Sequence, residues 1–307
     1  MKILITGGAG LIGSNVVKRY VSHGYEVYVA DNLWRGRIEN LCDNGQEIID
    51  LNTKFYKCDL RSYKNCLDVC KGMSVVVHLA DIVAGINYVF NNELYLYRAN
   101  IVMNSNMLSA AIENKVQKYI YVGTACSYPE DMQSELNPPP FKEEDVYPAN
   151  PESSYGWSKL MGEYECELAQ KEGFIETGIL RLHNVYGPPC EMSPEKSQVI
   201  PALCRKAIKY PEEDFIVWGS GMQRRSFLYV DEVVDAIYSL LEKGMNRGVI
   251  QIGDGKSHSI ADIAERIVRL SGKEIEIRFD PSKPEGDMDR TADSSKARQI
   301  LGWEQKI

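Results

Sequence analysis

The stretch "TGGAGLIG" (residues 6–13) restricts the fold of this chain more tightly than any other. It follows an apolar, β-branched run, "KILIT" (2–6), and opens "LIGSNVVKRYVSHG" (11–24), in which apolar residues recur at helical spacing until Gly24 stops them. Glycines between a strand and a helix let the backbone turn tightly and approach a pyrophosphate at the helix N-terminus. Gly7, Gly10 and Gly13 have GxxGxxG spacing rather than GxGxxG. A glycine triplet alone also fits a plain tight turn, so the context decides. Asp31 closes the next apolar run, "EVYVAD" (26–31), 18 residues after Gly13. A carboxylate at that place can hold the diol of an adenosine ribose. It would repel a 2′-phosphate, so the pattern favours NAD over NADP, although Arg35 and Arg37 follow closely.

The rhythm continues along the chain. "KFYKCDL" (54–60), "SVVVHLA" (74–80), "YIYVG" (119–123) and "ETGILRL" (176–182) read as further strands. Helices are expected at about 92–114 and 152–172. Strands alternating with helices predict a parallel, doubly wound α/β sheet. After about residue 183 the rhythm breaks, and Pro188, Pro189, Pro194 and Pro201 mark a loop-rich stretch. We therefore expect one domain over 1–182 and a smaller α/β substrate domain over 183–307, with a soft boundary and interleaved segments. Ligands bind at the carboxyl edge of such a sheet. The expected cofactor lining is Gly7, Gly10, Leu11, Ile12, Gly13, Asp31 and Asn32, then Asp59 and Leu60, Leu79 and Ala80.

Composition narrows the partners. The formal net charge of −8 argues against nucleic acid or an acidic membrane surface, which need a basic face. No run approaches the roughly 20 apolar residues that span a bilayer. The first turn residues come within seven positions of Met1, unlike a secretory leader. The eight cysteines include no CxxC pair, and the four histidines are scattered, so no metal site is expected. A cytoplasmic protein with reduced thiols is the expectation.

The second chemical motif is "YGWSK", with Tyr155 and Lys159 four residues apart on one helix face. An isolated pair of this kind is usually an ordinary surface pair. Beside a nicotinamide site, a nearby ammonium lowers a tyrosine's pKa and makes it a better base near neutrality. Thr124, at the end of the preceding strand, adds a hydroxyl for the same substrate oxygen. Together the three suit removal of a hydroxyl proton with hydride transfer from the same carbon. "TACSYP" (124–129) then places Cys126 just past the strand. A free cysteine there is either a small packing residue or a proton-transfer group.

The combination of "TGGAGLIG", Asp31, Thr124 and Tyr155 with Lys159 resembles the extended short-chain dehydrogenase/reductase family, over essentially the whole chain. The resemblance implies a Rossmann domain holding NAD and Tyr155 and Lys159 also touching that cofactor. It further implies a C-terminal domain for a sugar nucleotide and a homodimer built on the 92–114 and 152–172 helices. "RLHNVYGP" (181–188) is similar to the family's substrate loop, with Asn184 on the nucleotide diphosphate. "VWGSGMQRRSFLYVDE" (217–232) is similar to the segment that supplies Trp218, Gln223 and Arg225, and "PEGDMDRTAD" (284–293) supplies Arg290. A planar guanidinium suits bidentate phosphate binding.

Within the family, "LHN", "CRKA" (204–207), "WGSGMQRRSF" and "TACSYPE" look most like the 3,5-epimerases of GDP-mannose. "SQVIPAL" (197–203) and "FDPSKPEG" (279–286) also look like the 3,5-epimerase/4-reductases of GDP-keto-sugars. Both types carry a cysteine where Cys126 falls, as an acid/base on carbons flanking a C4 ketone. The 4,6-dehydratases instead carry an acidic residue there. Both resembled types also pair the cysteine with a lysine or histidine shortly before "PAL". That position is Gln198 here, and Lys196 lies two residues away. The resemblance thus implies Thr124, Cys126, Tyr155, Lys159 and Lys196 as catalytic residues. Two alternatives stay open: a C4 epimerase of a UDP-sugar, which needs no Cys126, and a GDP-keto-sugar 3,5-epimerase/4-reductase.

Overall fold

The computed structural model describes residues 1–307. Its main sheet is built from β1 (Lys2–Thr6), β2 (Glu26–Asp31), β3 (Phe55–Lys57), β4 (Val75–His78), β5 (Lys118–Thr124) and β6 (Glu176–Leu182), with a seventh strand, Val249–Ile252. All neighbours pair in parallel, and the seventh strand lies beside β6. The order from one edge is β3-β2-β1-β4-β5-β6 and then the seventh strand, so the chain reverses direction between β1 and β4. A ligand crevice opens at that reversal in doubly wound sheets.

Period-two alternation explains both layers. Ile3 and Ile5 face one side and Leu4 the other; Val75 and Val77 oppose Val76, and Ile120 and Val122 oppose Tyr119 and Tyr121. The first side is covered by α1 (Leu11–Ser22) and by helices at Val230–Ser239 and Ser295–Leu301. The second is covered by α2 (Tyr63–Cys70), α4 (Glu93–Glu113) and α5 (Ser154–Lys171), with the short α3 (Ile86–Asn91) preceding α4. Each fully buried aliphatic side chain here contributes roughly 1.5–3 kcal/mol of transfer free energy.

Residues beyond 182 thus supply one strand and two helices to the main sheet. The rest form a smaller body. In it, helices Val199–Lys209 and Ile260–Ser271 pack with strands Ile216–Trp218 and Arg278–Asp280, which pair in parallel. Strand Asn184–Tyr186 pairs with Phe227–Tyr229 at the junction. No helix is long and apolar enough to cross a membrane.

Candidate active site

A cavity of about 910 Å³ runs from the β1–α1 turn, past the ends of β4 and β5, to the smaller body. At one end, the glycines are required by space. Gly7 sits at φ +65°, a region that side chains rarely adopt. A Cβ on Gly13 would lie 2.2 Å from the Gly7 carbonyl oxygen. Gly10 is the N-cap residue of α1, and no side chain caps that end. A Cβ there would meet only the Gly7 oxygen, at 3.3 Å, so this part of the wall is open. Leu11 and Ile12 line the cavity beside it. The uncapped helix N-terminus leaves backbone N–H groups for an anion, which fits the pyrophosphate of a dinucleotide.

Asp31 is buried. Its Oδ2 accepts from the Ala9 N–H at 3.0 Å and its Oδ1 from the Leu33 N–H at 2.7 Å. Burial raises its pKa, and the two backbone bonds oppose that rise. The carboxylate is therefore fixed at the tip of β2 beside the glycine turn. Asn32, Leu60, Leu79 and Ala80 line the same end of the cavity. Asp59 does not. Its carboxylate is half exposed and bound to Arg61 at 2.5 Å, because the chain turns away after β3 ends at Lys57. Only its neighbours Cys58 and Leu60 reach the lining.

At the middle, Thr124, Cys126, Tyr155 and Lys159 all line the cavity. Thr124 ends β5, and its Oγ1 accepts from the Cys126 N–H at 3.3 Å. Ser153 caps α5 by accepting from the Gly156 N–H at 3.2 Å. A Cβ on Gly156 would lie 2.1 Å from the Cys126 carbonyl oxygen, so the first turn of α5 is pressed against the cysteine's backbone. That contact brings Tyr155 to Thr124 and Cys126.

The electrostatics differ from the sequence expectation. The Lys159 ammonium pairs with Asp81 at 3.3 Å and lies 4.5 Å from the centre of the Tyr121 ring. Burial, and then the Asp81 charge, hold the Tyr155 hydroxyl well above the usual tyrosine range. Burial and the Asp81 charge thus outweigh any lowering of Tyr155 by the ammonium here. Asp81 follows β4, in the loop "DIVAGI", and no sequence spacing connects it to α5.

At the far end, Asn184, Trp218, Gln223, Arg225 and Arg290 line the cavity. Arg225 is buried, and burial with Arg290 beside it pulls its guanidinium down to about 10. Arg290 donates to Gln133 Oε1 at 2.9 Å, to Asp287 Oδ2 at 2.8 Å and to Cys126 Sγ at 3.4 Å. Its Nε and the Gln223 Oε1 are buried without a partner. Such atoms are costly unless a ligand completes them.

Lys196 departs from the sequence expectation. Its ammonium donates to the Trp34 carbonyl oxygen at 2.6 Å and lies 4.6 Å from the centre of the Trp34 ring. Trp34 lines the cavity and Lys196 does not; Gln198 does. The loop has not shifted the lysine toward Cys126, because an aromatic face and a carbonyl capture it first.

A glycine turn at a helix N-terminus, an acid at the tip of β2, and a threonine–tyrosine–lysine group at one cavity define a dinucleotide-dependent α/β enzyme. The model of the NAD dependent epimerase/dehydratase family matches residues 3–253. This chain belongs to that family, and NAD is its cofactor. It is 33% identical over 303 residues to GDP-mannose 3,5-epimerase 1 of Oryza sativa subsp. japonica, covering 99% of this chain and 77% of that protein. It is 32% identical over 307 residues to GDP-mannose 3,5-epimerase of Arabidopsis thaliana, covering 99% and 78%. The UDP-glucose 4-epimerase of Thermotoga maritima, solved with UDP-glucose, superposes with a TM-score of 0.87 at 28% identity, covering 100% and 94%.

Proposed function

We propose that this chain is an NAD-dependent epimerase of a GDP-mannose-type sugar nucleotide, oxidising C4 transiently and inverting C3 or C5. The observation that carries the reading is the Cys126 sulfur, which shares the cavity with Thr124 and Tyr155 and is held by Arg290. Bound NAD would supply the hydride acceptor and donor for C4.

Tyr155 takes the C4 hydroxyl proton, and Thr124 holds the same oxygen. Lys159 binds the cofactor ribose, and Asp31 the adenosine ribose. The C4 ketone acidifies the hydrogens at C3 and C5, so a modest base can remove one. Cys126 is that proton-transfer group. Asn184, Gln223, Arg225 and Arg290 hold the nucleotide diphosphate, with Trp218 at the rim. The protein works as a homodimer through α4 and α5, without nucleic acid or membrane, in the cytoplasm.

A second reading has one observation in its favour. With Lys196 on Trp34 and Gln198 on the cavity wall, a C4 epimerase of a UDP-sugar needs no partner for Cys126. Incubation with NAD and GDP-mannose in D2O separates the two. Deuterium at C3 or C5 is the expected result. Inversion of a UDP-sugar at C4, with no label from GDP-mannose, would overturn the first reading.

A further inference from the structure

Epimerising a carbon beside a ketone requires two proton-transfer groups, because the proton leaves one face and returns to the other. Cys126 is one. Gln198, at the expected second position, has an amide that transfers no proton, and Lys196 is held on Trp34. Another acidic side chain reaches the same cavity. Glu152 lies just before α5 and lines the cavity with Cys126. Its segment is tied to the cysteine, since Gly156 is packed against the Cys126 carbonyl.

The Glu152 carboxyl stands among the charged groups of the cavity wall: a Cβ built on Gly286 would meet Arg225 Nη2 at 3.4 Å and Glu152 Oε2 at 3.9 Å. Asp287 Oδ2 accepts from Arg290, and Arg290 donates to the Cys126 sulfur. The Asp287 and Arg290 side chains are only 6% and 5% exposed. Yet Asp287 Oδ1 and Arg290 Nε have no partner, which marks a wall built to meet a ligand.

We propose that Glu152 is the second acid/base, working with Cys126 on the sugar carbon beside the C4 ketone. The proposal rests on the 3,5-epimerase reading above. Either Glu152 or Cys126 removes the proton, breaking the C–H bond, and the electron pair moves onto the C4 oxygen as an enolate. The other group, which started protonated, delivers its proton to the opposite face and a new C–H bond forms. The two end in exchanged protonation states and are reset by solvent. Burial and then Asp287 raise the Glu152 carboxyl to about 7, against the pull of Arg290 and Arg225. Both of its forms are therefore present near neutral pH, as either role requires.

The test compares the wild type with Glu152→Gln, each with NAD and GDP-mannose in D2O. Deuterium and inversion at C3 and C5 are read by NMR, and reduced nicotinamide by absorbance. Glu152→Gln is expected to slow inversion at C3 and C5 by about 100-fold or more while leaving nicotinamide reduction at the wild-type level. The limb of the inversion rate near pH 7 is expected to vanish with it. Glu152→Asp, which keeps the acid, is expected to retain most of the inversion. Undiminished inversion at C3 or C5 in Glu152→Gln, read by NMR of the product, would overturn the role. So would a parallel loss of inversion and nicotinamide reduction in both variants, which would make Glu152 a support for Arg290. A wild type that takes up no label would overturn the 3,5-epimerase reading itself, and the role with it.

Discussion

The Lys159 ammonium lies 3.3 Å from the Asp81 carboxylate, and both side chains are almost wholly buried. This pair sets the charge that Tyr155 experiences. Burial, and then the Asp81 charge, keep the hydroxyl protonated, and the Lys159 ammonium pulls the Asp81 carboxyl down against its own burial.

Asp81→Asn therefore has a signed effect on pH dependence. Burial raises Tyr155 first and the Asp81 charge raises it further. In the proposed reaction Tyr155 must lose its proton to take one from the C4 hydroxyl, so oxidation is expected to rise as pH climbs through its pKa. Removing the carboxylate lowers that pKa, and the limb moves to lower pH. Single-turnover nicotinamide reduction across a pH series checks this, and an unmoved limb would contradict it. The same substitution leaves a buried ammonium unpaired, so a stability loss of about 3–5 kcal/mol is expected alongside.

Gly13→Ala is expected to abolish NAD binding. The new Cβ would stand 2.2 Å from the Gly7 carbonyl oxygen, and both atoms belong to backbone that cannot swing away. The β1–α1 turn must open, at a cost of about 1–3 kcal/mol. Titration with NAD and a thermal melt read the two effects separately. Wild-type affinity in the variant would show that the turn is not the cofactor's cradle.

The legibility of the site follows from the range of the contacts that make it. The glycine turn, Asp31, Thr124 and the Tyr155–Lys159 spacing were readable because each is set by a strand end or by helical period. Arg290 was placed by resemblance, but its contact with Cys126 joins positions far apart in sequence, as do those of Asp81 and Glu152. Lys196 shows the converse. Its nearness to Gln198 in sequence suggested a substitute base, but nothing in the sequence registered the competing Trp34 face. Asp59 stands off the cavity for a local reason, since β3 stops at Lys57 and the following turn hands the carboxylate to Arg61.

Arg181 and Glu163 form a buried pair at 2.6 Å, with side chains 1% and 2% exposed. It joins β6 to α5, the helix that carries Tyr155. Arg181→Met would leave Glu163 buried without its cation. A loss of about 3–5 kcal/mol is expected in urea unfolding. A change below 1 kcal/mol would mean that the pair is solvated in solution.

The homodimer proposal predicts a specific face. Val102 on α4 and Tyr164 and Leu168 on α5 are exposed although apolar or aromatic. These two helices pack side by side on the sheet. Val102→Arg with Leu168→Glu is expected to halve the mass measured by light scattering. A monomeric wild type would contradict the proposal.

In the proposed reaction Cys126 moves a proton on the sugar carbon. The most direct measurement of this transfer is deuterium uptake at C3 and C5 of GDP-mannose by Cys126→Ala, with nicotinamide reduction followed in the same sample. The account predicts that labelling falls by about 100-fold or more while hydride transfer at C4 persists. Labelling at the wild-type rate in Cys126→Ala would contradict it, and would return the cysteine to the role of a small packing residue.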